Sequence, residues 1–327
     1  MERGLVGWEA ACAQSKIVRF ADVNLRGAGQ VLFQNNPLTG ALFLTALGWG
    51  AFVGRTPHVA IGGLSALVAA TATALCLGAD KTPLRQGLYG YNSLLTGLAL
   101  SYFLGPGVNV WVYTVLGGVV SAIAMLGPVS AIKPWSVPAH TYPFILTTWI
   151  FLLATHGFSI PLDVALPRTE ILPPAMSDPM RASDFVPGVL HSISQVYFKD
   201  NAASAALLVA GLAVNSYAAA GFAVAGAILA VATAHVFGIE SELITSGLQG
   251  FSPVLTATAL GSAFYRPSVR VAVFAALGTI AAVIAQSALH AVLSPMALPP
   301  LSAPFDLVAW IFFIPCKYLD SRNESVG

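Results

Sequence analysis

The distribution of charge along the chain sets the first boundaries. Residues 86–132, 134–162, 201–239 and 271–305 contain no Asp, Glu, Lys or Arg, and each stretch is longer than the ~20 residues that one bilayer crossing needs. Between charges and Pro/Gly breaks the apolar pattern predicts ten spans, near 38–54, 57–79, 87–104, 108–131, 142–158, 202–218, 219–237, 247–264, 271–293 and 302–316. These Leu/Ala/Val/Gly runs lack the strict alternation of a barrel strand, and open backbone groups are not tolerated in lipid, so each is expected to be helical. Small residues such as Gly117-Gly118 and Ala225-Gly226 permit close helix packing. One long polar, Pro-rich stretch, 159–187, divides the chain into 1–158 and 188–327.

The two halves resemble one another. Gln30-Val31-Leu32-Phe33 aligns with Gln195-Val196-Tyr197-Phe198, Gly87-Leu88-Tyr89-Gly90-Tyr91 with Gly247-Leu248-Gln249-Gly250-Phe251, and Val137-Pro138 through Pro143-Phe144 with Leu298-Pro299 through Pro304-Phe305. The offset stays near 160 to 165 residues, and Trp149 pairs with Trp310. Matching Gln, Gly, Pro and Trp in one order argues for an internal repeat rather than chance likeness of apolar helices. Five spans per half make the second copy enter the membrane from the opposite side, so the expected fold is all-α and polytopic, with two inverted five-helix repeats.

Composition agrees with a polytopic membrane protein: 56% of residues are hydrophobic and 9% charged, against roughly 25% charged in soluble domains. A net charge of +1 without a basic cluster gives no reason to expect nucleic acid as a partner. The Met1–Lys16 segment carries acids and lacks an apolar core, unlike a cleavable signal peptide. Neither Cys12, Cys76 and Cys316 nor the six histidines show ligand spacing, so no metal or cofactor is expected. A cytoplasmic N-terminus puts Lys16, Arg19, Arg26, Lys81, Arg85, Lys133, Arg266, Arg270, Lys317 and Arg322 inside, which makes both termini cytoplasmic and the 159–187 linker extracytoplasmic.

In an inverted repeat, paired motifs meet near the midplane and line a shared path. The proline pairs 138/143 and 299/304 interrupt helices beside Thr141 and Ser302, and the backbone groups this frees are tolerated at membrane depth only in protein or against a wet cavity. Gln30, Gln195, Thr141 and Ser302 supply neutral acceptors. Phe33, Tyr91, Phe198 and Phe251 supply flat walls, with Leu95 and Leu255 one helical turn beyond Tyr91 and Phe251. Such walls suit a small, planar, donor-rich neutral solute, and suit a bare ion poorly because the repeated motifs contain no acid.

The doubled signature at 137–144 and 298–305, with Gly-Leu-Tyr-Gly-Tyr-Asn at 87–92 and Gln-Val-x-Phe at 30–33, resembles the urea transporter family, most closely its bacterial members, over roughly 20–318. The resemblance implies half-spanning pore helices, a homotrimer in the cell inner membrane with one pore per subunit, and passive, channel-like movement of urea. It further implies that Gln30, Val31, Phe33, Tyr91, Leu95 and Thr141 line one half of the pore, and Gln195, Val196, Phe198, Phe251, Leu255 and Ser302 the other. Apart from membrane lipid and urea no partner is implied, and no catalytic residue or enzyme activity.

Departures from the family pattern are Val137, Ser302, Gln195 where Glu is common, Ser252-Pro253 after the aromatic, and Asp306 after the second Pro-Phe. Asp306 is expected to cap a helix start. An acid at mid-membrane costs about 2.5–3.5 kcal/mol on insertion scales, so Asp306 also motivates the rival expectation, an ion- or proton-coupled transporter for another small amide or amine. A second rival, an intramembrane enzyme, has only Ser302 with His290 or Asp306 as candidate machinery.

Overall fold

The computed structural model describes residues 2–127, 138–157 and 181–313, and these contain helices and turns with no strand. Val137, Cys316 and most of the 159–187 linker lie outside the described residues. Two helices open the chain, α1 (Glu2–Gln14) and α2 (Lys16–Gln30), the second capped by Ser15. Trp8 Nε1 donates to Asp22 at 2.7 Å, and Asp22 pairs with Arg26 at 2.8 Å, tying α1 to α2. The first half continues with α3 (Pro37–Val53), α4 (Pro57–Cys76), α5 (Lys81–Arg85), α6 (Tyr91–Leu104), α7 (Val108–Leu126) and α8 (Tyr142–Ala154). The second half repeats that order with α9 (Phe185–Ser194), α10 (Ala202–Asn215), α11 (Tyr217–Val236), α12 (Ser241–Thr245), α13 (Phe251–Thr258), α14 (Val269–Leu293) and α15 (Ala303–Phe313).

Local chemistry explains the boundaries. Asn36 accepts from the Leu38 and Thr39 amides at the start of α3, where Pro37 has no N–H in need of an acceptor, and Asn201 accepts from the Ser204 amide at the start of α10. Ser216 and Ser268 cap α11 and α14 in the same way. Helix ends fall within a few residues of the expected spans, with one correction: the 247–264 span is α13 followed by a π-helical turn over Ala259–Ala263. The ten expected spans do not include α2, whose apolar character Asp22 and Arg26 interrupt, or the ten-residue α9, which begins inside the stretch read as a polar linker.

Among the described residues, four helices are long and apolar enough to cross a membrane: Pro57–Cys76, Val108–Leu126, Tyr217–Val236 and Val269–Met296. At 1.5 Å per residue, the 14 residues of α6 and 13 of α8 span only part of the ~30 Å hydrocarbon layer. Lateral packing relies on small residues. A β-carbon on Gly117 would meet Leu100 Cδ1 at 2.6 Å, Thr96 Cγ2 at 3.3 Å and Phe151 Cδ1 at 3.5 Å; one on Gly278 would meet Leu260, Thr256 and Phe312 at those same distances.

Contacts between the halves are exchanged in pairs. Trp149 Nε1 donates to the Pro299 carbonyl at 2.9 Å, and Trp310 Nε1 to the Pro138 carbonyl at 3.1 Å. Thr39 Oγ1 donates to the Gly211 carbonyl and Ser204 Oγ to the Ala46 carbonyl, both at 2.8 Å. One apolar core, including Phe43, Leu98, Phe144, Tyr197, Leu260 and Phe305, is drawn from both halves. Trp310→Phe, which leaves a half-buried carbonyl at Pro138 without this donor, is expected to destabilise the protein by about 1 kcal/mol. A lowered thermal midpoint in detergent checks it, with Trp149→Phe giving a similar shift.

Candidate functional site

The two Gln-Val-x-Phe segments adopt one local design. Each ends its helix in a tight turn, with the Phe33 amide donating to the Gln30 carbonyl and the Phe198 amide to the Gln195 carbonyl, both at 2.9 Å. Phe33 and Phe198 then take left-handed backbone, with φ of 62° and 57°. A bulky side chain there costs on the order of 1–3 kcal/mol, strain of a kind that concentrates at functional sites. Gln30 Nε2 donates to the Gln86 carbonyl at 2.9 Å and Gln195 Nε2 to the Ser246 carbonyl at 3.3 Å. Both amides are thereby oriented, with each side-chain oxygen left to accept.

A cavity of about 320 Å³ lies between the halves. Eight of the twelve residues expected at the site line it: Val31 and Leu95 from the first half, and Gln195, Val196, Phe198, Phe251, Leu255 and Ser302 from the second. Phe251 opens α13 and Leu255 follows one turn later, so one helix face presents both. Tyr102 and Phe103 on α6 pack against Phe198 with ring centroids 5.9 and 6.4 Å apart, extending the aromatic wall. Their sequence signal was faint: Phe103 and Phe264 occupy equivalent positions, but no polar residue marked the match. Gln249 and Gln286 also line the cavity and were not anticipated.

Gln30, Phe33, Tyr91 and Thr141 are not brought to this cavity. His140 stands where the second half has the cavity-lining Leu301 and, like it, has positive φ. Its ring packs against Phe264, Phe305 and Phe313 at 5.2, 5.1 and 5.3 Å, and Phe33 packs against Phe264 and Phe305 at 5.6 and 5.8 Å. The Tyr91 hydroxyl donates to the His140 carbonyl, and Asn92 Nδ2 donates to the same oxygen at 3.2 Å. The surroundings of the two phenylalanines therefore differ in kind: the His140 ring lies beside Phe33 at 6.5 Å, where the second half has Leu301.

Between them stand Thr141 Oγ1 and Ser302 Oγ, 2.6 Å apart and both buried. Asp306 Oδ1 accepts from the Thr141 amide at 3.2 Å and from Thr141 Oγ1 at 2.9 Å. The carboxyl does cap a helix start, but it is the start of α8 across the interface, where Thr141 is the N-cap residue, rather than that of its own α15. An apolar slot with oriented acceptors, ending at a hydroxyl pair, can strip water from a small flat solute and replace its hydrogen bonds one at a time.

Comparison with known proteins gives one consistent result. Residues 21–317 match the sequence model of a family described as "Urea transporter". The chain is 27% identical to urea transporter 1 of Ovis aries and to urea transporter 1 of Capra hircus, over 94% of this chain and 79% of each relative. It is 28% identical to urea transporter 1 of Rattus norvegicus over 76% of this chain and 64% of that protein.

Proposed function

The chain belongs to the urea transporter family, and from that premise we propose that it is an integral membrane protein moving urea passively through a path within each subunit. The observation carrying this reading is the slot of Phe198, Phe251 and Leu255, with Gln195 oriented beside it, leading to the Thr141–Ser302 hydroxyl pair. Urea is thin, planar and neutral, and its N–H groups match a row of neutral acceptors, whereas its flat faces match aromatic and leucine walls. Gln30, Val31, Phe33, Tyr91, Leu95 and Thr141 form the first half of the path in this reading, with His140 and its phenylalanine neighbours packed beside Phe33.

The fold supports two inverted five-span halves, residues 1–158 and 188–327, joined by an extracytoplasmic linker at 159–187. The repeated element order and the exchanged Trp149/Trp310 and Thr39/Ser204 hydrogen bonds favour a two-fold relation between them. The short helices α8 and α15 are then the half-spanning pore helices. A homotrimer in the cell inner membrane with both termini cytoplasmic completes the reading; no reaction is catalysed and no cofactor takes part.

The test is stopped-flow urea efflux from proteoliposomes without an ion gradient. Flux well above protein-free vesicles and unchanged by proton or sodium ionophores is expected. Flux that collapses with the proton or sodium gradient overturns passive conduction, and flux equal to that of protein-free vesicles, from folded protein, overturns urea as the solute.

A further inference from the structure

The repeat sets an acid against a hydrocarbon at its centre. Asp306 follows Phe305 in the second half, and its equivalent after Phe144 in the first half is Ile145. Both side chains are buried, and where Asp306 reaches the Thr141 hydroxyl its counterpart is a hydrocarbon that accepts no hydrogen bond.

Two hydroxyls 2.6 Å apart share one O–H···O bond, and in a symmetric setting either can be the donor, leaving the other proton free to point elsewhere. Asp306 removes that freedom. Thr141 Oγ1 lies 2.9 Å from Asp306 Oδ1, which also receives the Thr141 backbone N–H, so this oxygen is fixed as an acceptor of two donors. With the Thr141 hydroxyl proton given to Asp306, Ser302 must give its own proton to Thr141. Both protons are then spent within the chain Ser302 → Thr141 → Asp306, and only lone pairs face a solute at this neck.

We propose that Asp306 is a positioning residue that makes the Thr141–Ser302 neck an acceptor-only filter, selecting solutes by the number of N–H groups they offer. The inference rests on the passage of urea-like solutes proposed above and adds its basis for discrimination. It requires only that Oδ1 accept, as it does in the carboxylate and in the neutral acid whose proton sits on Oδ2. An Asn amide oxygen can therefore replace it, whereas Ile cannot. With Ile, one hydroxyl proton is released to the path and the neck becomes able to donate as well as accept.

The experiment compares wild type, Asp306→Asn and Asp306→Ile in proteoliposomes. It measures the ratio of urea flux to formamide flux, four N–H groups against two, after size-exclusion and thermal-unfolding checks of each variant. The ratio in Asp306→Ile is expected to fall at least threefold while Asp306→Asn stays within twofold of wild type. An unchanged ratio in folded Asp306→Ile overturns the proposal. A fall of the same size in Asp306→Asn also overturns it, since the charge and not the acceptor is then what matters. Should Asp306→Ile fail to fold, Thr141→Ser, which keeps the chain, must hold the wild-type ratio, and Thr141→Val, which removes its middle member and frees the Ser302 proton to point into the path, must lower it; any other pattern overturns the proposal. Absence of wild-type urea flux is a separate result that overturns the proposed function itself.

Discussion

Thr141→Val is expected to lower urea flux by about tenfold to a hundredfold while leaving the protein folded. Valine has nearly the shape of threonine, so the packing of α8 against α15 is kept and the change is confined to one oxygen. That oxygen is the middle member of three, bonded to Ser302 at 2.6 Å and to Asp306 at 2.9 Å. Its loss takes the acceptor from Ser302 and a donor from Asp306, both buried, and withdraws a replacement for the water that a passing solute has shed. An unmet buried hydrogen bond costs about 1–3 kcal/mol, and if this falls on the barrier it gives the stated range. Thr141→Ser retains the hydroxyl and is expected to recover most of the flux. Stopped-flow efflux on both variants is the measurement, and wild-type rates in folded Thr141→Val would remove Thr141 from the path.

The second large effect is structural. Gly87 and Gly247 sit at equivalent turns before α6 and α13, with φ of +75° and +79°. A β-carbon on Gly87 would lie 2.2 Å from the Gly27 amide nitrogen, and one on Gly247 would lie 2.3 Å from the His191 carbonyl carbon. Both obstacles are backbone on the preceding long-range partner helix, α2 or α9, which a rotamer change cannot relieve. Gly87→Ala and Gly247→Ala each combine a disfavoured backbone conformation with a steric clash, and each is expected to destabilise by about 3 kcal/mol or more. Poor recovery as a monodisperse species, or a strongly lowered thermal midpoint, reports it. Gly48→Ala, where an added β-carbon meets nothing within 4 Å, is the control and is expected to be neutral or slightly stabilising. These turns also aim Tyr91 and Phe251, so any folded Gly247→Ala protein should conduct poorly.

Much of this was legible in the order of residues because each signal was local or repeated. Apolar runs such as 108–131 and 271–293 predict the helices found at Val108–Leu126 and Val269–Leu293, since burial in lipid or core demands uninterrupted hydrocarbon and internally satisfied backbone. Duplicated Gln, Gly, Pro and Trp residues marked equivalent positions, and the shared caps at Asn36 and Asn201 are the local result. The helix α2 is not legible from hydropathy because polar residues it carries are satisfied within the protein: Thr71 donates to Asn24 at 3.0 Å, and Asp22 pairs with Arg26. Hydropathy scores such residues as exposed when they are not.

The sequence alone determined that this chain is a helical membrane protein, that its two halves are alike, and which residue types recur where the halves meet. Those properties follow from periodicity and composition, which are read one segment at a time. Only the tertiary structure decided what surrounds the equivalent positions: His140 packs among Phe264, Phe305 and Phe313, and its counterpart Leu301 lines the cavity beside Phe198. Tertiary contact likewise turned Asp306 from a candidate cap for its own helix into the acceptor for Thr141, 165 residues away. Packing and hydrogen bonding at such separations depend on how helices cross, and helix crossing is set by the sum of many small side-chain contacts rather than by any one motif.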